Sequence, residues 1–269
     1  MLDSVVGAAP VFLLVAARCA ALVFTLPLFS MRTVPRAAKI AFCGYMAYIL
    51  MPSADYSAYG DVLSMGGAFT LYYGMLVLGE GMIGVILGFF VSMIFAAFST
   101  AGQFFAFQMG FSASEVYDSL SQVENPLMGQ FFNLVAMLIF MQAHWFQKLF
   151  LQGLAGSLSS LNALALAAGR ERIIRFLLTG LSNLFADALL IALPLMGTLL
   201  LISVCTGILS KAAPQMNLLS EGFPIMILTA FLIIFAIFPS LCDFFIRSFR
   251  TGFSDLQRIL SAAGAGGGA

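Results

Sequence analysis

Between Glu80 and Glu115 the chain runs for 34 residues, Gly81 to Ser114, without a charged side chain. As continuous helix such a run measures about 51 Å, well beyond the roughly 30 Å of a bilayer's hydrocarbon core. Two further runs, the 23 residues of Ala188–Ser210 and the 21 of Gly222–Cys242, are each long enough to cross that core once. A soluble domain cannot hide this much apolar chain: 61% of the 269 residues are hydrophobic and 9% charged, against about 25% charged in ordinary soluble domains. Transmembrane strands would alternate polar and apolar residues, and these runs do not. The sequence therefore predicts an all-α, membrane-type chain of helical hairpins, some helices overlong.

Uncharged runs at Ser4–Ala17, Cys19–Met31, Ile40–Ala54, Gly81–Ser114, Asn125–Gln147, Ala188–Ser210 and Gly222–Cys242 give about six helical segments once the first two are joined across Arg18. Leu149–Gly169, diluted by Gly153, Gly156, Ser157, Ser159, Ser160 and Asn162, reads as a loop or broken helix. Ile173–Ser210 is interrupted by Asp187 and by Pro194, whose ring and missing N–H kink a helix. The end, from Ala262, has the composition of a flexible tail. Six spans would set Arg32, Arg36 and Lys39 on one side of the membrane and Arg247, Arg250 and Arg258 on the other, against the positive-inside tendency. Asp3 as the only early charge, with Arg18 inside the first apolar run, is unlike a cleaved signal.

Twelve basic residues balance twelve acidic ones, so no net field calls for nucleic acid. Cys19, Cys43, Cys205 and Cys242 are scattered through apolar stretches and read as small buried hydrophobes. The single histidine, His144, stands beside Trp145 and Lys148 with the character of an interfacial cluster and lacks a second metal ligand or catalytic partner. No phosphate-binding loop, HExxH or GxSxG motif occurs, and the expectation is a protein without enzyme activity, metal or cofactor. Arg18, Glu80 and Asp187 are ionisable residues next to long apolar runs; the reading is a helix end or an inter-subunit pair, with a transport site as the alternative.

Three further stretches carry information. "GVILG", Gly84 to Gly88, is a GxxxG match, and Gly74, Gly81 and Gly88 recur every seven residues, so Gly81, Gly84 and Gly88 are candidates for close helix packing. "FAFQMGFSASEVYDSLSQVENP", Phe105 to Pro126, bears a net charge of −3 between apolar runs and is either an ordinary loop or a lining of an aqueous passage. "KAAPQMNLLSEGFP", Lys211 to Pro224, places Pro214, Asn217, Gly222 and Pro224 where a tight reversal between the last two apolar runs is needed.

"APQMNLLSEGFP" (Ala213–Pro224), "LPLFSMRTVPRAAKI" (Leu26–Ile40), "FQMGFS" (Phe107–Ser112) and "PLMGQFFNLVAMLIF" (Pro126–Phe140) together resemble the FliR family of flagellar export-gate proteins, related to the SctT component of virulence type III secretion. The resemblance implies a core subunit of the flagellar type III secretion gate in the bacterial inner membrane, within the basal body. Its partners would be FliP- and FliQ-type subunits, FlhB, lipid, and exported unfolded flagellar proteins. It further implies a FliP-like part over residues 1–175 and a FliQ-like hairpin over 176–261, before the tail at 262–269. Within the insert at 109–124, it implies a channel plug that begins at Met109, with Phe111 and Tyr117 as bulky fillers and Glu115, Asp118 and Glu124 as wettable positions. The "GFP" at Gly222–Pro224 leans towards the flagellar member; the virulence counterpart and a monomeric secondary transporter are the alternatives.

Overall fold

The computed structural model describes residues 2–30, 34–60, 70–109, 127–212 and 218–265, and all regular structure among them is helical. Helix α1 spans Leu2–Thr25, the single turn α2 Pro27–Ser30, and α3 Arg36–Leu50. Two 3-10 turns, Met51–Ser53 and Ser57–Tyr59, precede α4, Leu71–Gln108. Then come α5 (Leu127–Gln142), α6 (Trp145–Lys148), a π-helical turn at Leu149–Leu154, α7 (Ala155–Ser160) and α8 (Ala163–Ala168). The chain closes with α9 (Arg170–Ala212) and α10 (Leu218–Ala265).

The 38 residues of α4, 43 of α9 and 48 of α10 correspond to about 57, 65 and 72 Å of helix. Four helices among the described residues, α1, α4, α9 and α10, are long and apolar enough to cross a membrane; the pair Leu127–Gln142 and Trp145–Ser160, bent by 71°, makes a fifth if it counts as one span. The six segments expected from sequence thus become four or five, because α3 has only 15 residues. With the bent pair as one crossing, the basic residues after α1 and those late in α10 fall on the same side, and the parity conflict disappears. The glycine- and serine-rich stretch from Leu149 is indeed a broken helix: Asn162 ends the break by accepting a 2.7 Å bond from the Ala165 N–H as the cap of α8.

Contacts divide the chain into two compact units. The first comprises residues 1–93, 144–180 and 249–269. Here α3 buries Cys43, Ala47 and Leu50, one face at helical spacing, and Phe29, Phe42, Phe146 and Phe150 form an aromatic cluster with neighbouring centroids 4.7–6.4 Å apart. Trp145 lies against Phe249 and Phe253 while Lys148 sits 4.2 Å over its ring. The second unit comprises residues 94–143 and 181–248. Its contacts include Phe95 with Phe140, Phe105 with Phe132, and Phe98 stacked on Phe245. Two of the four cysteines, Cys19 and Cys43, are buried as expected, but Cys205 is exposed and Cys242 half-buried, since α9 and α10 turn much of their apolar surface outward.

Candidate functional site

Arg18 and Glu80 are both fully buried, inside α1 and α4 of the first unit. Two nitrogens of the guanidinium, Nε at 2.8 Å and Nη2, donate to Glu80 Oε2. Arg18 also donates to Ser157 Oγ at 3.1 Å and to the Leu161 carbonyl at 2.7 Å. On the other carboxylate oxygen, Tyr59 donates its hydroxyl proton to Glu80 Oε1 at 2.9 Å, and the Ala163 N–H donates to that same hydroxyl at 2.6 Å. One charge pair thus joins α1, the turn at Ser57–Tyr59, α4 and the α7–α8 break. Burial, and then the charge of Glu80, push the Tyr59 phenol well above its ordinary pKa, so it remains a donor at physiological pH. The expectation of a helix-end or inter-subunit role for Arg18 and Glu80 is corrected: they pair with each other within one chain. Asp187 is separate, accepting from Ser248 at 3.4 Å in the second unit.

The glycine positions differ from one another. A Cβ on Gly84 would lie 2.2 Å from the Arg18 carbonyl oxygen and 2.9 Å from Ala21 Cβ; one on Gly88 would lie 1.8 Å from Thr25 Oγ1 and 3.1 Å from the Leu22 carbonyl. These two let α4 approach the backbone of α1, and Ser92 Oγ donates to the Thr25 carbonyl at 2.8 Å one turn further on. Gly81 and Gly74, by contrast, have nothing within 4 Å of such a Cβ. The heptad period is therefore not the contact period: Gly84 and Gly88, four residues apart, face α1.

At the insert the described chain reaches only its borders. Met109 is buried and continues α4 by one bond, its N–H donating to the Phe105 carbonyl at 2.9 Å. A Cβ on Gly102 would lie 2.6 Å from the Met128 carbonyl oxygen and 2.7 Å from Gly129 Cα, so α4 and α5 are in backbone contact near that border. Phe111, Glu115, Tyr117, Asp118 and Glu124 lie outside the described residues, as do Pro214 and Asn217. Gly222 and Pro224, expected in the reversal, stand instead in the first two turns of α10, which begins by Leu218. Pro224 is the seventh residue counted from Leu218, past the first turn, so its missing N–H removes the i→i−4 bond to the Ser220 carbonyl. At the other end α10 continues through Ala265, into the stretch whose composition reads as a tail.

His144, exposed at the bend between α5 and α6, has φ 57°, the single left-handed non-glycine among the described residues. Sequence reasoning missed the other members of the cluster, Tyr59 on Glu80 and Ser157 and the Leu161 carbonyl on Arg18: nothing in the sequence links positions 21, 139 and 143 residues away. The one available signal was an arginine in mid-run and a glutamate at the start of another, each needing compensation.

These features define a polytopic helical membrane protein whose buried charges serve each other. The chain belongs to the family described as bacterial export proteins, family 1, which matches residues 9–252. It is 30% identical over 235 residues to the flagellar biosynthetic protein FliR of Bacillus subtilis (strain 168), covering 87% of this chain and 88% of that protein. Over 172 residues it is 33% identical to the flagellar biosynthetic protein FliR of Borreliella burgdorferi, 64% of each chain. It is also 32% identical over 164 residues to the surface presentation of antigens protein SpaR of Shigella flexneri, 60% of this chain and 61% of that one.

Proposed function

We propose that the chain is a structural, non-enzymatic subunit of the flagellar type III secretion export gate in the bacterial inner membrane. The observation that carries this reading, beside family membership, is the outward apolar surface of helices longer than a bilayer. Leu178 is 61% exposed, Leu201 64% and Phe235 82%, on helices of 43 and 48 residues. Lipid covers only about 30 Å of such a helix, and the remaining apolar surface calls for protein neighbours. FliP- and FliQ-type subunits, with FlhB, are the neighbours the reading assigns, and unfolded flagellar proteins are the cargo. Residues 1–175 act as the FliP-like part and 176–261 as the FliQ-like hairpin.

The insert at 109–124, from Met109 onward, is the plug, with Phe111 and Tyr117 filling the conduit. Glu115, Asp118 and Glu124 are its wettable positions, and the reversal before α10 is shaped by Pro214 and Asn217. Co-expression with FliP- and FliQ-type subunits tests the assembly: a heteromeric complex is expected, and a stable, ligand-binding monomer from the same preparation sinks the proposal. Deleting Ser114–Ser121 should raise small-molecule permeability of cells making the assembled gate. Loop shortening by itself changes closure entropy only slowly, so an unaltered permeability would return the insert to an ordinary connection.

The 32% identity to SpaR favours a second reading, the virulence-system counterpart. Restored motility in a strain lacking its own FliR distinguishes the two.

A further inference from the structure

We propose that Arg18 and Glu80 form a conformational latch: α1 reaches its final seat on α4 only when the turn at Ser57–Tyr59 and the segment Ser157–Ala163 close around the guanidinium, in one coupled step. Arg18 lies within the apolar window Ala8–Thr25 of α1. Alone in a bilayer, this residue is held by its own charge towards the nearer interface, about 10 Å along the helix, which a snorkelling arginine reaches. In the finished chain it is fully buried, and its acceptors lie 62, 139 and 143 residues further on. Its two positions are incompatible, because a guanidinium at the interface cannot also sit between Glu80, Ser157 and the Leu161 carbonyl.

The backbone contact of Gly84 with the Arg18 carbonyl ties the same residue to helix packing, so α1 cannot dock with its charge elsewhere. Glu80 has the mirror problem and takes Tyr59 as its second donor, while Tyr59 in turn holds the Ala163 N–H. The circuit runs from Arg18 to Glu80, Tyr59 and Ala163 and returns through Leu161. Removing the charge of Glu80 therefore releases a segment that Glu80 does not itself hydrogen-bond.

The test uses the full chain with its four cysteines replaced by alanine and Leu158→Cys as a reporter, Leu158 being 2% exposed on α7. Maleimide labelling in membranes measures opening of the segment. Glu80→Ala is expected to speed labelling at least about tenfold, because it leaves a buried charge unpaired. Glu80→Gln, which keeps the shape and loses the charge, should give an intermediate rate. The double variant Arg18→Met/Glu80→Met should label more slowly than Glu80→Ala, since no charge then needs compensation, but faster than the parent, since Ser157, the Leu161 carbonyl and Tyr59 lose buried partners. Labelling at the parent rate in both single variants overturns the latch. So does a double variant as open as Glu80→Ala, which would make the two residues independent packing elements.

Discussion

At Gly84 one missing methyl group decides a helix contact. A Cβ there meets the Arg18 carbonyl oxygen at 2.2 Å, a backbone atom fixed in α1, whereas at Gly88 the Thr25 hydroxyl can turn aside and the nearest fixed atom, Thr25 Cβ, stands at 2.8 Å. Gly84→Ala is therefore expected to cost about 1–3 kcal/mol by overpacking and Gly88→Ala less. Gly81→Ala, with open space around it, should gain about 0.5–1 kcal/mol from helix propensity. Thermal unfolding of the three variants in one detergent gives the ranking; a Gly81 variant as unstable as that of Gly84 would contradict the packing face. His144 poses the converse case, a side chain where glycine fits better. His144→Gly should be neutral or stabilising, and His144→Val should cost about 1–2 kcal/mol, because a β-branched residue resists the left-handed region. The same melts check it: equal stability of both variants would mean that the bend does not depend on this φ.

Among the elements, α4 and α5 are joined near the insert by contact without side chains, Gly102 against Met128 and Gly129. Gly102→Leu should force the two helices apart, with Phe105 and Phe132, whose ring centroids lie 5.0 Å from each other, losing their edge contact. Thermal unfolding in the same detergent should show a loss of about 1–3 kcal/mol by overpacking, and unchanged stability would show that the contact can slide. The bent pair from Leu127 to Ser160 illustrates the same economy. Its corner needs only a left-handed residue and Trp145 packed on Phe249 and Phe253.

For the whole molecule the unpartnered surface matters most. Leu201, 64% exposed on α9, sits where a lipid or protein neighbour is required. Leu201→Lys should leave helix content unchanged by circular dichroism, because it removes no contact within the core, yet lower recovery of the complex with FliP- and FliQ-type subunits by about tenfold. Full recovery of the complex would place that face against lipid headgroups instead. Family membership over residues 9–252 sets the context in which such a surface is covered, that of a bacterial export protein.

Sequence alone specified the class and where the long helices lie, not how long they are. Runs without charge specify helices, since in hydrocarbon each backbone donor must find its acceptor locally, yet α9 and α10, with 43 and 48 residues, extend far beyond the uncharged runs of 23 and 21 residues inside them. The motifs at Leu26–Ile40 and Ala213–Pro224 likewise carried the family. What sequence could not supply was the azimuth of each helix: "GVILG" named two contact glycines, but the period of seven that added Gly81 was composition, not contact. Gly222 and Pro224 were placed in a turn because both residues favour turns, and the helix start at Leu218 overrode that propensity. The charged pair needed the tertiary structure entirely. Arg18 and Glu80 attract through space, and a distance in space between residues 62 apart in the chain is set only once the helices between them have packed.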